Sequence, residues 1–461
     1  MDMDPDALVS ELQAIVGAAH VRVGAAIEPE YLHDESLTVA PVQPRALVLP
    51  GSCTDVARVL AYCNAHGVAV AVRAGGTGLS GGCTPIAHGI LLALDRMRRI
   101  VEIDTDNQVA VCEPFVRLSE LYAAAEAKGL MYAIFPGESS ATIGGNVGTN
   151  AGGMQAIKYG VTRHHVLGLT AVLADGSVMR TGGKIAKVSS GYDLTQLIVG
   201  SEGTLAVVTE VILKLVPRLA SRKAILAPFH TLEEVTRAIP KLVATGRNPL
   251  MLEYIDLLTM ASILARTKMD LGIDPKIRET ALAYLLVVTE GRDDDVAAED
   301  AQHLAEVCAE LGAIDVFMLP STAGRQLIEA REQSFWAGKA AGAGDIIDVV
   351  VPRASLAAFI EGASRIAQEH GALVAGCGHA GDGNVHLAVF HPEPVQQRAV
   401  TRALLQAGIA LGGAVSGEHG IGLAKKAYFM EFEDPTKLAL QKRIKLAFDP
   451  KGILNPGKLF D

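Results

Sequence analysis

The chain has 461 residues, 49% of them apolar, with 47 glycines and a formal net charge of −10. Its length exceeds one ordinary hydrophobic core, so two domains are expected, and its apolar content excludes a disordered chain. The acidic balance, with no basic stripe interleaved with aromatics, excludes nucleic acid as the expected partner.

The opening run MDMDPDALVSELQAIVG is acidic and lacks the charged-then-apolar plan of a secretory signal. No run of about 18 or more apolar residues offers a transmembrane helix. Cys53, Cys63, Cys83, Cys112, Cys308 and Cys377 show no C-x-x-C spacing and read as reduced thiols. A cytoplasmic protein is expected, with peripheral membrane contact left open.

Residues 1–40 read as a short helical lead-in. From Arg45 short strands alternate with helical stretches: ALVLP (46–50), a helix around Asp55–His66, then VAVAVR (68–73). RAGGTGLSGG follows directly, and PGESSATIGGNVGTNAGG (136–153) is a second glycine-dense loop. GSEGTLAVVTEVILKLVP (200–217) ends in a β-branched strand run closed by Pro217. After Arg218 the glycine clusters vanish. Helical patterns over Leu232–Thr245, Ala297–Leu311 and Leu356–Glu369 alternate with strands LLVVTE (285–290), IIDVVVP (346–352) and ALVAGC (372–377). This predicts a second α+β domain with its boundary near 218–222. The tail FDPKGILNPGKLF (448–460) carries turn signals that suggest a return to the first domain.

The glycines of RAGGTGLSGG allow backbone N–H groups to converge on an anion without side-chain hindrance. Taken alone the stretch reads as an ordinary loop. It is neither a Walker loop nor a dinucleotide-fold fingerprint. Two dense loops plus GSEGT in one domain point instead to a large multi-part ligand such as a dinucleotide cofactor.

The late segment GHAGDGNVH (378–386) lies between the strand-like ALVAGC and VHLAVF, and Asp382-Gly383 is a strong hairpin signal. A two-residue loop there would set His379 opposite His386, with Cβ atoms about 4.5–5.5 Å apart. Such imidazoles can share a metal, with Glu418 of SGEHGIG (416–422) as third ligand and positions left open. Zinc suits this donor set, with manganese or iron as alternatives. The bland alternative is a hydrogen-bonded hairpin. His419 reads as a general base or as a supporting partner of the metal site.

These loops resemble the FAD-binding domain of the vanillyl-alcohol oxidase superfamily, and GHAGDGNVH, SGEHGIG and FDPKGILNPGK resemble its glycolate/D-lactate/D-2-hydroxyglutarate dehydrogenase branch. The resemblance implies an α+β fold. Its FAD-binding domain spans 1–218, in two subdomains of about 1–102 and 103–218. A ferredoxin-like cap spans 219–440, and the segment 441–461 returns to the FAD domain. It implies that Gly75, Gly76, Thr77, Gly78 and Leu79 wrap the pyrophosphate. Arg73, Pro136, Gly137, Thr142, Gly145, Asn146, Thr149, Asn150, Ala151, Glu202, Gly203, Val207 and Asn455 complete the cofactor site. Covalent relatives have a histidine where this chain has Thr77, so non-covalent FAD is expected. The branch uses the positions of His379, His386 and Glu418 as ligands to a divalent metal.

The implied reaction is oxidation of a D-2-hydroxy acid to the 2-oxo acid. Arg331 would hold the substrate carboxylate and His419 would take the hydroxyl proton while the C2 hydride passes to the flavin. Relatives that oxidise 2-hydroxyglutarate carry a lysine and an asparagine for the distal carboxylate. Here those positions are Ile346 and Ala388, and Phe335 or Trp336 replaces a smaller polar residue, which favours a D-lactate-like substrate. D-2-hydroxyglutarate oxidation and a glycolate-oxidising subunit of a complex remain alternatives. So do a metal hydrolase built on the His/Glu cluster, a non-redox transferase on the same fold, and a non-catalytic flavin subunit. The electron acceptor (quinone, cytochrome or electron-transfer flavoprotein) and a homodimer are left open.

Overall fold

Strands Ala46–Val48 and Ile90–Ala93 are apolar and buried at every position, a pattern suited to a sheet covered on both faces. They pair in parallel, Val70–Arg73 joins Ile90–Ala93 in parallel, and Val21–Arg22 forms an antiparallel edge. On one face Leu8 and Leu12 of helix Pro5–Val16 pack with Val56, Val59 and Leu60 of helix Cys53–His66. The second helix starts where Ser52 Oγ accepts the Asp55 N–H at 3.1 Å, and ends at Gly67 in the left-handed region (φ 67°). The computed structural model describes residues 5–460, so positions 1–4 of the expected lead-in lie outside the described residues. The rest of the lead-in is less helical than expected. After Val16 the chain runs through 3-10 turns and a short strand, because Val21 and Arg22 find backbone partners in Val48 and Leu47.

A second, antiparallel sheet has the order Ile100–Asp104, Val109–Cys112, Val207–Lys214, Val166–Val172, Val178–Gly182. The β-branched run does not continue unbroken to Pro217. It stops at Lys214, and Val216–Pro217 pairs separately with Leu130–Met131.

The α+β class is borne out by the third sheet, which is antiparallel and seven-stranded. Its order is Phe317–Leu319, Ser221–Phe229, Ala283–Gly291, Met251–Asp256, Leu373–Gly378, Asn384–Phe390, Asp345–Val350. Helices Leu232–Ala244, Asp294–Glu310, Leu356–Glu369 and Pro394–Ala410 cover one face. The other face, with Met251, Ile255, Leu327 and Cys377, turns toward Met154 of the first domain. No helix among the described residues is long and apolar enough to cross a membrane.

The C-terminal tail packs beside Val70 of the first sheet. Val70 N donates to Ile453 O and Asn455 N to Val70 O, both at 2.8 Å. Asp449, fully buried, caps this turn by accepting from Ile453 and Leu454 N–H and pairs with Lys445 Nζ. Lys445 also donates to Leu454 O and Thr204 O, fixing the tail to the 200–204 loop. Replacing Asp449 by Ala leaves a buried ammonium without its counter-charge, a loss on the order of 3–5 kcal/mol. Urea unfolding of Asp449→Ala is expected to show that drop in stability; a change under about 1 kcal/mol would deny the tail this role.

Candidate functional site

The loop after Val70–Arg73 approaches the segment 136–153 closely. Thr142 Oγ1 caps helix Ile143–Thr149 and also accepts the Gly75 N–H at 2.9 Å, so one hydroxyl joins the two glycine loops. A Cβ at Gly75 would meet Thr142 Cγ2 at 2.9 Å, and at Gly76 (φ +73°) it would meet the Arg73 guanidinium at 2.0 Å. Glycine is required at both positions. Beside them lies a cavity of about 640 Å³. Gly75 to Leu79 line it, as do Pro136, Gly137, Gly145, Asn146, Thr149, Ala151, Glu202 and Gly203.

Five expected cofactor residues are not part of that lining, and each has a structural task instead. Arg73 donates to His33 O at 2.7 Å and stacks over Tyr31, bracing the loop from behind. Thr142 is occupied as the cap just described. Asn150 ends the helix in the left-handed region (φ 55°) and accepts the Arg163 N–H. Val207 is fully buried in the core, while its neighbours Ala206 and Val208 face the cavity. Asn455 accepts from Val72 N and donates to Glu202 O, steadying the 202–203 turn.

His379, His386, Glu418, His419 and Arg331 line the same cavity. The histidines meet by a different route from the one expected. His386 pairs in register with Cys377, not His379, because a 3-10 turn over Ala380–Asp382 lengthens the connection and Gly383 (φ 77°) closes it. The imidazoles still lie 5.0 Å apart, centroid to centroid. Glu418 Oε1 is 3.0 Å from His379 Nε2 and 3.4 Å from His386 Nε2. One donor atom from each of the three lies within 4.8 Å of the others, and so it does for Asp348, His386 and His419. Burial would raise the Glu418 pKa, but the His379 charge and hydrogen bond outweigh it and hold it down at about 2. Burial lowers the His419 pKa below the ordinary imidazole value, against the pull of Asp348, which favours the neutral ring.

Two carboxylates at the centre of this cluster were not singled out by the sequence. Asp348, fully buried, accepts from Glu418 N at 3.0 Å, His419 N at 2.8 Å and Ser416 Oγ at 2.7 Å. Burial opposes its ionisation, yet His419, Lys425 and His386 around it hold its pKa well below the usual range. Glu253, also fully buried, accepts from His379 Nδ1 at 2.8 Å and sits 2.8 Å from Arg331 Nη2. Arg331 is therefore not a solvated helix charge but a buried cation at the cavity wall.

The loop that carries Glu418 and His419 is held by the first domain. Glu202 accepts from Ile421 N at 2.7 Å and Gly422 N at 2.8 Å, and Ser80 Oγ donates to the carbonyls of His419 and Gly420. The nucleotide-type loops and the His/Glu cluster thus form one site.

The family described as FAD linked oxidases, C-terminal domain, matches residues 218–459, and the FAD binding domain matches 44–182. The chain belongs to the FAD-linked oxidases. An uncharacterized FAD-linked oxidoreductase of Mycobacterium tuberculosis is 50% identical over 98% of this chain and 99% of its own. A D-lactate dehydrogenase of Archaeoglobus fulgidus is 37% identical over 93% of this chain and 95% of its own. Among solved structures, p-cresol methylhydroxylase superposes with a TM-score of 0.82 at 19% identity, over 99% of this chain and 97% of that one. That likeness shows the shared fold of the vanillyl-alcohol oxidase family. The chain is an FAD-linked oxidoreductase with an FAD-binding domain and a C-terminal cap.

The lining fits FAD: two close-packed glycine loops leave backbone groups facing a cavity that ends at the cap. Thr77 offers no imidazole to that cavity. Acid precipitation is expected to release the yellow flavin into the supernatant, and colour kept in the protein pellet would show a covalent link.

Proposed function

We propose that this FAD-linked oxidoreductase oxidises a small D-2-hydroxy acid, of D-lactate size, to the 2-oxo acid in the cytoplasm. The observation that carries the reading is the meeting of His379, His386, Glu418, His419 and Arg331 on the cavity that the flavin loops line. The name of the archaeal relative supports the substrate class.

His379, His386 and Glu418 would hold a divalent metal. The electrostatics of the donor set fit one. Burial disfavours charge on His379, yet the neighbouring Glu253 and Glu418 carboxylates push its pKa well above the ordinary value. A proton on His379 there substitutes for positive charge that the cluster lacks. Zinc suits two imidazoles and a carboxylate, with manganese or iron as alternatives. When bound, FAD supplies the hydride acceptor and the metal supplies polarisation of the substrate hydroxyl.

The remaining work falls to side chains. Arg331, a buried cation on the cavity wall, anchors the substrate carboxylate. His419 takes the hydroxyl proton. Its backbone N–H is fixed on Asp348 and its Nδ1 lies 3.8 Å from that carboxylate, which favours a proton on Nδ1 and a free Nε2. Ile346 and Ala388 are register partners on adjacent strands, and a Cβ at Gly338 would stand 3.5–3.7 Å from both. These residues form an apolar wall that cannot repay desolvation of a second carboxylate.

The decisive test is anaerobic flavin bleaching against D- and L-2-hydroxy acids, with and without chelator. D-lactate is expected to bleach the flavin, chelation to prevent it and added Zn²⁺ or Mn²⁺ to restore it. Bleaching by no 2-hydroxy acid would overturn the assignment, and full turnover without metal would remove the metal from it. His419→Asn should keep the flavin and slow reduction roughly 10²–10⁴-fold, the range for loss of a general base. A loss under about tenfold would return His419 to a supporting place. Ile346→Lys should raise relative kcat/KM for D-2-hydroxyglutarate by roughly 10- to 150-fold. A native preference for that dicarboxylate would contradict the apolar-wall reading.

A further inference from the structure

Glu253 is the one charged residue at the centre of strand Met251–Asp256, between Leu252 and Tyr254. Tyr254 pairs in register with Gly378, which brings this strand alongside the chain just before His379. Met251 and Ile255, of the same strand parity as Glu253, face Leu327 of the helix that carries Arg331 and Cys377 of the strand that leads to His379. An unpaired carboxylate there would be strongly disfavoured, and Glu253 divides its two oxygens between two partners. Oε1 lies 2.8 Å from His379 Nδ1 and Oε2 lies 2.8 Å from Arg331 Nη2.

The two contacts differ in kind. The first is a hydrogen bond that keeps a proton on Nδ1; Nε2 donates to Glu418 Oε1 at 3.0 Å, and it is this nitrogen whose lone pair would be offered to a metal in exchange for its proton. The second is an ion pair without a directed N–H, for Arg331 Nε and Nη2 and Glu253 Oε2 all lack hydrogen-bond partners. Charge therefore fixes the guanidinium in place at the cavity wall.

We propose that Glu253 is a positioning residue shared by both halves of the site, presenting His379 Nε2 to the metal and holding Arg331 for the substrate carboxylate. This rests on the metal and carboxylate assignments of the proposed function and adds a coupling to them: one buried carboxylate sets metal retention and substrate binding together. A counter-charge for Arg331 alone would affect only the second.

The test compares the full-length FAD-loaded protein with Glu253→Gln, Arg331→Met and the double variant. Zn²⁺ affinity is read by competition with a chromogenic chelator, and pyruvate binding by perturbation of the flavin spectrum. Glu253→Gln is expected to lose about 10- to 100-fold in Zn²⁺ affinity, the scale for partners of metal-bound histidines, and to bind pyruvate more weakly. Arg331→Met should lose pyruvate binding and keep its Zn²⁺ affinity. The double variant carries no unpaired buried charge, so it reports even where Glu253→Gln does not fold, and it should keep the Zn²⁺ deficit. Native Zn²⁺ affinity in Glu253→Gln, or its return in the double variant, would reduce Glu253 to a counter-charge and overturn the inference alone. A native protein that binds no divalent metal would overturn the metal assignment itself.

Discussion

The turn over residues 416–422 is gripped from two domains at once, and the rest of the site depends on that grip. From the cap, Asp348 accepts both the Glu418 and His419 N–H groups on a single oxygen. From the first domain, the Glu202 carboxylate takes the N–H groups of Ile421 and Gly422, and Ser80 reaches the carbonyls of residues 419 and 420. Burying two carboxylates is costly, and only well-made hydrogen bonds and nearby cations compensate. Glu202 sits at a left-handed position (φ 51°), and burial pushes its pKa up against the pull of Lys458 and Lys425. The outcome is geometric. Consecutive residues send Glu418 toward His379 and His386 while the His419 ring stands 4.9 Å from that of His386.

The same grip explains why the domains cannot be treated as independent modules. The glycine loops shape one end of the cavity, but Glu202, from the third of them, also determines where the cap's turn lies. Gly420 (φ +81°) has a matching constraint, since a Cβ there would meet Glu202 Oε1 at 3.0 Å. Asn455 closes the circuit by joining the C-terminal tail to Val72 and to Glu202. The Asn455 and Glu202 side chains thus tie the tail to the turn.

Much of this was legible in the sequence because glycine density, strand alternation and His/Glu clustering are local signals. Helix Leu356–Glu369 and strand Asp345–Val350 follow directly from period and β-branching. What escaped was whatever depends on partners far along the chain. Glu253 and Asp348 lie within MLEYID and DIIDVV, where an acidic residue looks like an ordinary solvent-facing strand position. Their importance arises from burial, which register with Leu286 and with His386 decides and composition does not. The hairpin error has the same origin. Asp382-Gly383 does mark the turn, but the 3-10 segment before it shifts the pairing by two residues, from His379 to Cys377. Thr142, Asn150 and Asn455 carry the residue types of ligand contacts and serve as caps and ties, uses that a motif alone does not separate.

The cavity is polar and over-determined at one end and apolar at the other. His379, His386, Glu418, His419 and Arg331 each have a buried charged or polar partner, so a substitution there disturbs several contacts at once. Ile346, Ala388, Phe335 and Trp336 face the same space with no such network. Phe335 and Trp336 pack edge to face at 5.1 Å, and Lys339 lies over the Trp336 ring while pairing with Glu35 of the first domain at 2.6 Å. Helix Ser334–Ala340 is thus anchored across the domain seam at its far end, and its aromatic pair bounds the apolar end of the cavity. A locked polar cluster and a few packed apolar side chains can vary independently. A change in the shape of the apolar end needs only exchange of wall residues, without moving the polar cluster.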